Sequence, residues 1–137
     1  MTNNLPKKAS IKTHRRYKAW LSQSRFDLEA ALLSFDAQFY EWSTFQVQQA
    51  VEKGLKALIV YSGARPPKVH KLQVLIGICN RVCPAFKDTK LSFRFIESFT
   101  FISRYPFLLP GENKAPHHLI TEDDARKVLD QGCLLYT

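Results

Sequence analysis

The sequence predicts an all-α protein, a four- to five-helix up-and-down antiparallel bundle, on three observations. Every long segment spaces its apolar residues with a helical period, no stretch sustains the two-residue alternation of a strand, and all seven prolines fall outside the periodic segments. A chain of 137 residues that is 45% hydrophobic and 12% aromatic has the size and apolar content of one core. The predicted organisation is a flexible basic tail over 1–12 and a single helical domain over 13–137.

The elements follow in order. Residues 1–12 hold Asn3, Asn4, Pro6, Lys7 and Lys8 and little to bury. The first helix runs from about Thr13 to Phe35, with Tyr17, Trp20, Leu21, Leu28, Ala31, Leu32 and Phe35 on one face. Ser43 and Gln46 have the spacing of a capping box and are expected to start the second helix, which carries Phe45, Val51, Leu55, Leu58 and Ile59 and ends at Gly63 and Pro66-Pro67. The third begins near Val69, buries Leu72, Leu75, Ile76, Cys79 and Val82, and stops before Pro84. The fourth, capped by Asp88 or Thr89, carries the stripe Leu91, Phe95, Ser98, Phe99 and Ile102. Prolines 106, 110 and 116 make 105–120 a loop. Thr121 then caps a fifth helix whose first turn, Glu122-Asp123-Asp124, suits the positive end of the helix dipole, with Val128, Leu129 and Cys133 inward.

Composition removes several classes of function. No apolar run approaches the ~18–20 residues of a membrane span and the amino terminus lacks an apolar signal core, so the expectation is a cytoplasmic protein with no membrane partner. Cys79, Cys83 and Cys133 have no recognised zinc spacing and read as reduced thiols. His117-His118 reads as surface histidine, and the acidic turn at 122–124 as a helix start; no metal and no cofactor are expected. Glycine-rich phosphate loops, HExxH, GxSxG and paired-carboxylate motifs are absent from the sequence.

Charge is the first positive indication. The net charge is +8, and from Lys53 to Arg94 nine bases face only Asp88. Such a segment attracts phosphate, although a basic balance is also ordinary solubility charge. Within the second helix Gln49, Glu52, Lys53 and Lys56 fall at i, i+3, i+4 and i+7, so an amide, a carboxylate and two amines share one exposed ridge. The ridge is either a solvated face, steadied by a Glu52–Lys56 pair contributing ~0.3–0.5 kcal/mol, or a phosphate-binding surface. His70 and Lys71, at the start of the third helix, lie beside helix-start amides that favour an anion.

The run Gln48-Gln49-Ala50-Val51-Glu52-Lys53-Gly54-Leu55-Lys56-Ala57-Leu58, with Trp20 and Asp27-Leu28 before it and Pro67, His70-Lys71-Leu72 and Arg104-Tyr105-Pro106 after it, resembles a HEPN domain. The resemblance spans about Thr13 to Tyr136. It implies a four- or five-helix bundle, frequently homodimeric, with three possible activities: metal-independent RNase, accessory partner of a nucleotidyltransferase in a toxin–antitoxin pair, or nucleotide-binding module. The RNase branch uses an Arg, four to six residues and a His, the His taking the 2′-hydroxyl proton while Arg stabilises the phosphate. Arg65 and His70 satisfy that spacing, but in the link between helices rather than near a later helix, and His70 matches instead the His that opens the third helix in the non-RNase type. Arg104-Tyr105-Pro106 matches the family's Arg-Tyr-Pro string, either as a helix end or as a phosphate contact beside a base-stacking ring.

The resulting expectation is a HEPN-like homodimer binding nucleotide or RNA phosphate through Gln49, Lys53, Lys56, His70, Lys71, Arg104 and Tyr105, acting with a nucleotidyltransferase. The alternatives are a metal-independent endoribonuclease using Arg65 and His70, and a structural dimerisation module without a ligand. Trp20, Phe35, Trp42, Phe93 and Phe101 supply the residues expected at a twofold interface.

Overall fold

The computed structural model describes residues 11–88, 93–105 and 114–136, and among them the regular structure is entirely helical. Two long helices, α1 (Ile11–Asp36) and α2 (Tyr40–Tyr61), pack as an antiparallel pair joined by a three-residue turn. They are followed by α3 (Leu72–Val82), a 3-10 turn (Pro84–Asp88), the short α4 (Arg94–Ser98) and α5 (Pro116–Leu119), then α6 (Glu122–Cys133) and a last 3-10 turn (Leu134–Tyr136). No described helix is long and apolar enough to cross a membrane.

The core is organised on α2. Val47, Val51, Leu55 and Ile59 recur at the helical period and meet Leu72, Leu75, Ile76 and Cys79 of α3, Phe93 and Ile96 around α4, and Val128 and Leu129 of α6. Burial pushes the Cys79 thiol up to about 12, and its Sγ faces the Leu55 carbonyl at 3.4 Å. Two glycines permit close approach: a Cβ on Gly132 would stand 2.5 Å from Val47 Cγ1, and one on Gly54 2.6 Å from Leu135 Cδ2.

Several boundaries differ from the sequence reading. Residues 11 and 12, expected in the tail, are helical; 1–10 lie outside the described residues. The second helix starts at Tyr40, not at Ser43. Ser43 is buried in its first turn and donates to the Ala31 carbonyl at 2.8 Å, while Gln46 Oε1 accepts from Ser34 Oγ at 2.7 Å. The apparent capping box is therefore a pair of contacts to α1. The turn before α2 uses Gln38 at φ 69°, which lets Phe39 N–H reach the Ser34 carbonyl at 2.8 Å. Gly63 ends α2 as expected, at φ 92°, with Ala64 N–H closing on the Ile59 carbonyl at 3.2 Å.

The third helix starts at Leu72 rather than Val69. The fourth is a five-residue helix followed by turns through Arg104, with Phe93 at its N-cap in place of Asp88 or Thr89; Thr89 and Leu91 lie outside the described residues. The predicted loop holds the short α5, which begins on Pro116, the ring already set for a first helical position, and His118 Nδ1 accepts the Ala115 N–H at 3.1 Å. Thr121 caps α6: its hydroxyl accepts from Asp124 N–H, and the Asp124 carboxylate accepts from Thr121 N–H, both at 3.1 Å. Phe93, expected at an interface, is 1% exposed and belongs to the core, and Phe35 packs against it.

Candidate functional site

Of the two readings of the α2 ridge, the solvated face does not hold for Glu52 and Lys56. Glu52 is 4% and Lys56 6% exposed, because Trp20 of α1 lies over this stretch with the Lys56 amine 5.7 Å from its ring centroid. A buried carboxylate demands partners, and Glu52 has three. Oε1 lies 3.4 Å from Lys56 Nζ and 2.5 Å from His70 Nδ1, and Oε2 accepts from Gln49 Nε2 at 3.4 Å. Gln49 also donates to Gln48 Oε1 at 2.7 Å, and Gln48 donates to the His70 carbonyl at 3.3 Å, fixing the link that carries His70. Lys53 pairs with Asp27 of α1.

These groups line one side of a cleft of about 470 Å³. Phe45, Thr100, Phe101 and Arg104 line the rest, with Trp20 at one end. The segment after α4 delivers Arg104. Its Nε donates to the Thr100 carbonyl at 3.0 Å, and its guanidinium carbon lies 4.7 Å from the Phe45 ring centroid, 5.2 Å from that of Tyr105 and 5.7 Å from that of Phe101. Among the described residues no carboxylate pairs with Arg104, whereas Lys53 and Lys56 each have one. Thr100 Oγ1, in the same wall, is buried without a hydrogen-bond partner among the described residues.

The structure thus brings together Gln49, Lys53, Lys56, His70 and Arg104, five of the residues chosen from sequence. Tyr105 reaches the group through its ring on Arg104. Lys71 is exposed at the N-cap of α3 and does not line the cleft. The helix-start amide that His70 and Lys71 were expected to offer an anion is occupied: Leu72 N–H donates to Glu97 Oε1 at 2.9 Å. Arg65 lines a neighbouring depression rather than the cleft, so the Arg65–His70 spacing does not put both side chains in one wall. His70 itself is 78% exposed in its side chain, held at one nitrogen by Glu52.

Sequence reasoning gave no site role to Asp27, Phe45, Gln48, Thr100 or Phe101. Asp27 is legible only once α1 and α2 are known to run side by side; Phe45 and Phe101 read as core or interface apolar residues, and nothing marks Thr100. Among the described residues no three His, Cys, Asp or Glu side chains form a group able to hold a metal ion.

The model of the HEPN domain family matches residues 17–132. The chain belongs to the HEPN domain family. Two solved structures share the HEPN-type fold. A protein of Thermus thermophilus, TT1696, superposes with a TM-score of 0.72 at 23% identity, covering 88% of this chain and 92% of that one. ST0689, described as an archaeal HEPN homologue, gives a TM-score of 0.60 at 23% identity over 87% of this chain and 90% of its own. No curated protein matches this HEPN chain in sequence.

Proposed function

We propose that the cleft binds a nucleotide or an RNA phosphate, with Arg104 as the anion contact. The observation that carries this reading is the state of the cleft's cations. Lys53 and Lys56 are neutralised by Asp27 and Glu52, while Arg104 keeps its terminal nitrogens for a ligand among three aromatic rings. A guanidinium held by its Nε and flanked by rings suits a phosphate joined to a base, since one ligand then satisfies both the charge and the stacking surfaces. Gln49, Lys53, Lys56 and His70 shape the opposite wall, Tyr105 backs Arg104, and Lys71 contributes at longer range.

In this reading the protein is a cytoplasmic homodimer that acts with a nucleotidyltransferase in a toxin–antitoxin-like system. The family supports the partner class, the free thiols of Cys79, Cys83 and Cys133 suit a reducing compartment, and Phe26 and Leu33, exposed seven residues apart on α1, offer an apolar strip for a second copy.

The second reading, metal-independent RNA cleavage, draws on the Glu52–His70 contact. With Nδ1 held by a carboxylate, Nε2 is the nitrogen left to take a proton from a ribose hydroxyl. Calorimetry with AMP and ATP at low salt tests the binding proposal. Arg104→Ala is expected to weaken binding by roughly 1.5–3 kcal/mol, the scale of hydrogen bonds to a charged group. Unchanged affinity in that variant removes Arg104 from the site, and RNA cleavage in EDTA that disappears in His70→Ala establishes the second reading.

A further inference from the structure

The cleft does not end at Trp20. The same indole lines a second depression, of about 460 Å³, formed with Arg16, Val60, Gly63, Ala64, Arg65 and Pro66. Trp20 is thus the partition between two recesses, each within the ~300–1,000 Å³ typical of a small-ligand pocket. The second recess has the simpler electrostatics. Arg16 lies one helical turn before Trp20, and Arg65 lies on the link that leaves α2; both side chains are exposed, and neither has a carboxylate partner among the described residues. The floor between them is open, since a Cβ built on Gly63 meets nothing within 4 Å.

The two recesses lie along one line. Gln49, Lys53, Lys56 and Val60 advance along α2 while Trp20 and Arg16 retreat along α1, so the cations are ordered as Arg104 at one end, the paired lysines in the middle, and Arg16 with Arg65 beyond Trp20. From Gln49 to Val60 the α2 axis advances about 17 Å. A mononucleotide seated at Arg104 fills the first recess and leaves the two unpaired guanidiniums without a counter-charge. A strand with a repeating phosphate, and with flat bases able to stack on a ring between charged recesses, satisfies both.

We propose that the ligand is a single-stranded oligonucleotide that crosses Trp20, with one phosphate at Arg104 and a later one between Arg16 and Arg65. This rests on the nucleotide reading of the cleft and extends it from a mononucleotide to a strand long enough to reach both recesses, about 17 Å along α2.

The test compares AMP, an adenylate dinucleotide, a short single-stranded oligoadenylate and a blunt duplex of similar length, each titrated into the full chain at low and at physiological salt. Affinity is expected to be similar for AMP and the dinucleotide, which is too short to reach both recesses, to rise for the oligonucleotide, and to favour the single strand over the duplex. Arg16→Ala combined with Arg65→Ala is expected to lower oligonucleotide affinity roughly tenfold or more, to reduce the logarithmic salt slope by about 0.7, the value for one phosphate on a single strand, and to leave both AMP binding and the melting temperature as in the parent. The extension alone is overturned if AMP binds and depends on Arg104 while the oligonucleotide binds no tighter, if the double variant binds it as the parent does, or if the duplex binds equally well. A parent protein that binds none of the four overturns the reading of the cleft as well.

Discussion

On one side of α2, Val51, Leu55 and Ile59 meet the apolar residues of α3 and α6; on the other, facing α1, the packing of Leu28, Ala31 and Phe35 is joined by a series of polar contacts. Ser24 donates to the Ala50 carbonyl at 2.6 Å and pairs with the Tyr136 hydroxyl, Ser43 reaches Ala31, Ser34 reaches Gln46, and Lys53 meets Asp27. Apolar contact is non-directional, so the first side supplies most of the free energy of folding and tolerates small shifts. Hydrogen bonds and ion pairs contribute less each but hold only at one separation and angle, so the second side fixes how α1 sits on α2. The cleft lies along that second side, and its shape depends on the register of the two helices.

This contrast can be broken at its apolar side first. Leu55→Ala removes a fully buried side chain at the centre of the core and is expected to cost about 2–5 kcal/mol in denaturant unfolding, with the ligand affinity of whatever folds unchanged. A loss below about 1 kcal/mol would show that the α2–α3–α6 side is not the main source of stability.

The polar side is sharpened by Glu52→Gln. The substitution keeps the shape and removes the charge that Lys56 and His70 face, and a loss of about 1.5–3 kcal/mol is expected together with disturbed nucleotide binding. Adding Lys56→Met should restore part of the stability, because it removes the buried ammonium that Glu52→Gln leaves without a counter-charge, but none of the binding. If Glu52→Gln alone is neutral in thermal unfolding, the buried cluster does not act as a unit.

The smallest effect is assigned to Asp27→Asn. The Asp27–Lys53 pair is partly solvated, so its loss is expected to change stability by about 0–1 kcal/mol. The released Lys53 should tighten nucleotide binding at low salt, with the gain fading as salt rises. Weaker binding in this variant would mean that Asp27 is needed to position Lys53 rather than to neutralise it.

The helical period alone determined the all-α class, the core residues of α2 and α3, and the start of α6, because each depends on neighbours within a turn or two: Leu55 and Ile59 stack on one face, and Thr121 and Asp124 satisfy each other across three residues. The spacing of Gln49, Glu52, Lys53 and Lys56 likewise put these four on one ridge, which lines the cleft, while Arg104 was singled out by the resemblance to a HEPN domain rather than by any period. Whether that wall is wet or buried was beyond the sequence, since the answer lies in Trp20 and Asp27, which reach it from another helix. The false capping box at Ser43 has the same origin: a hydroxyl three residues before a glutamine reads identically whether it caps its own helix or bonds to the one beside it. Local pattern fixes which face a residue occupies, and only the packing of one element on another decides which charges are paired, like Lys53 and Lys56, and which, like Arg104, have no carboxylate partner among the described residues.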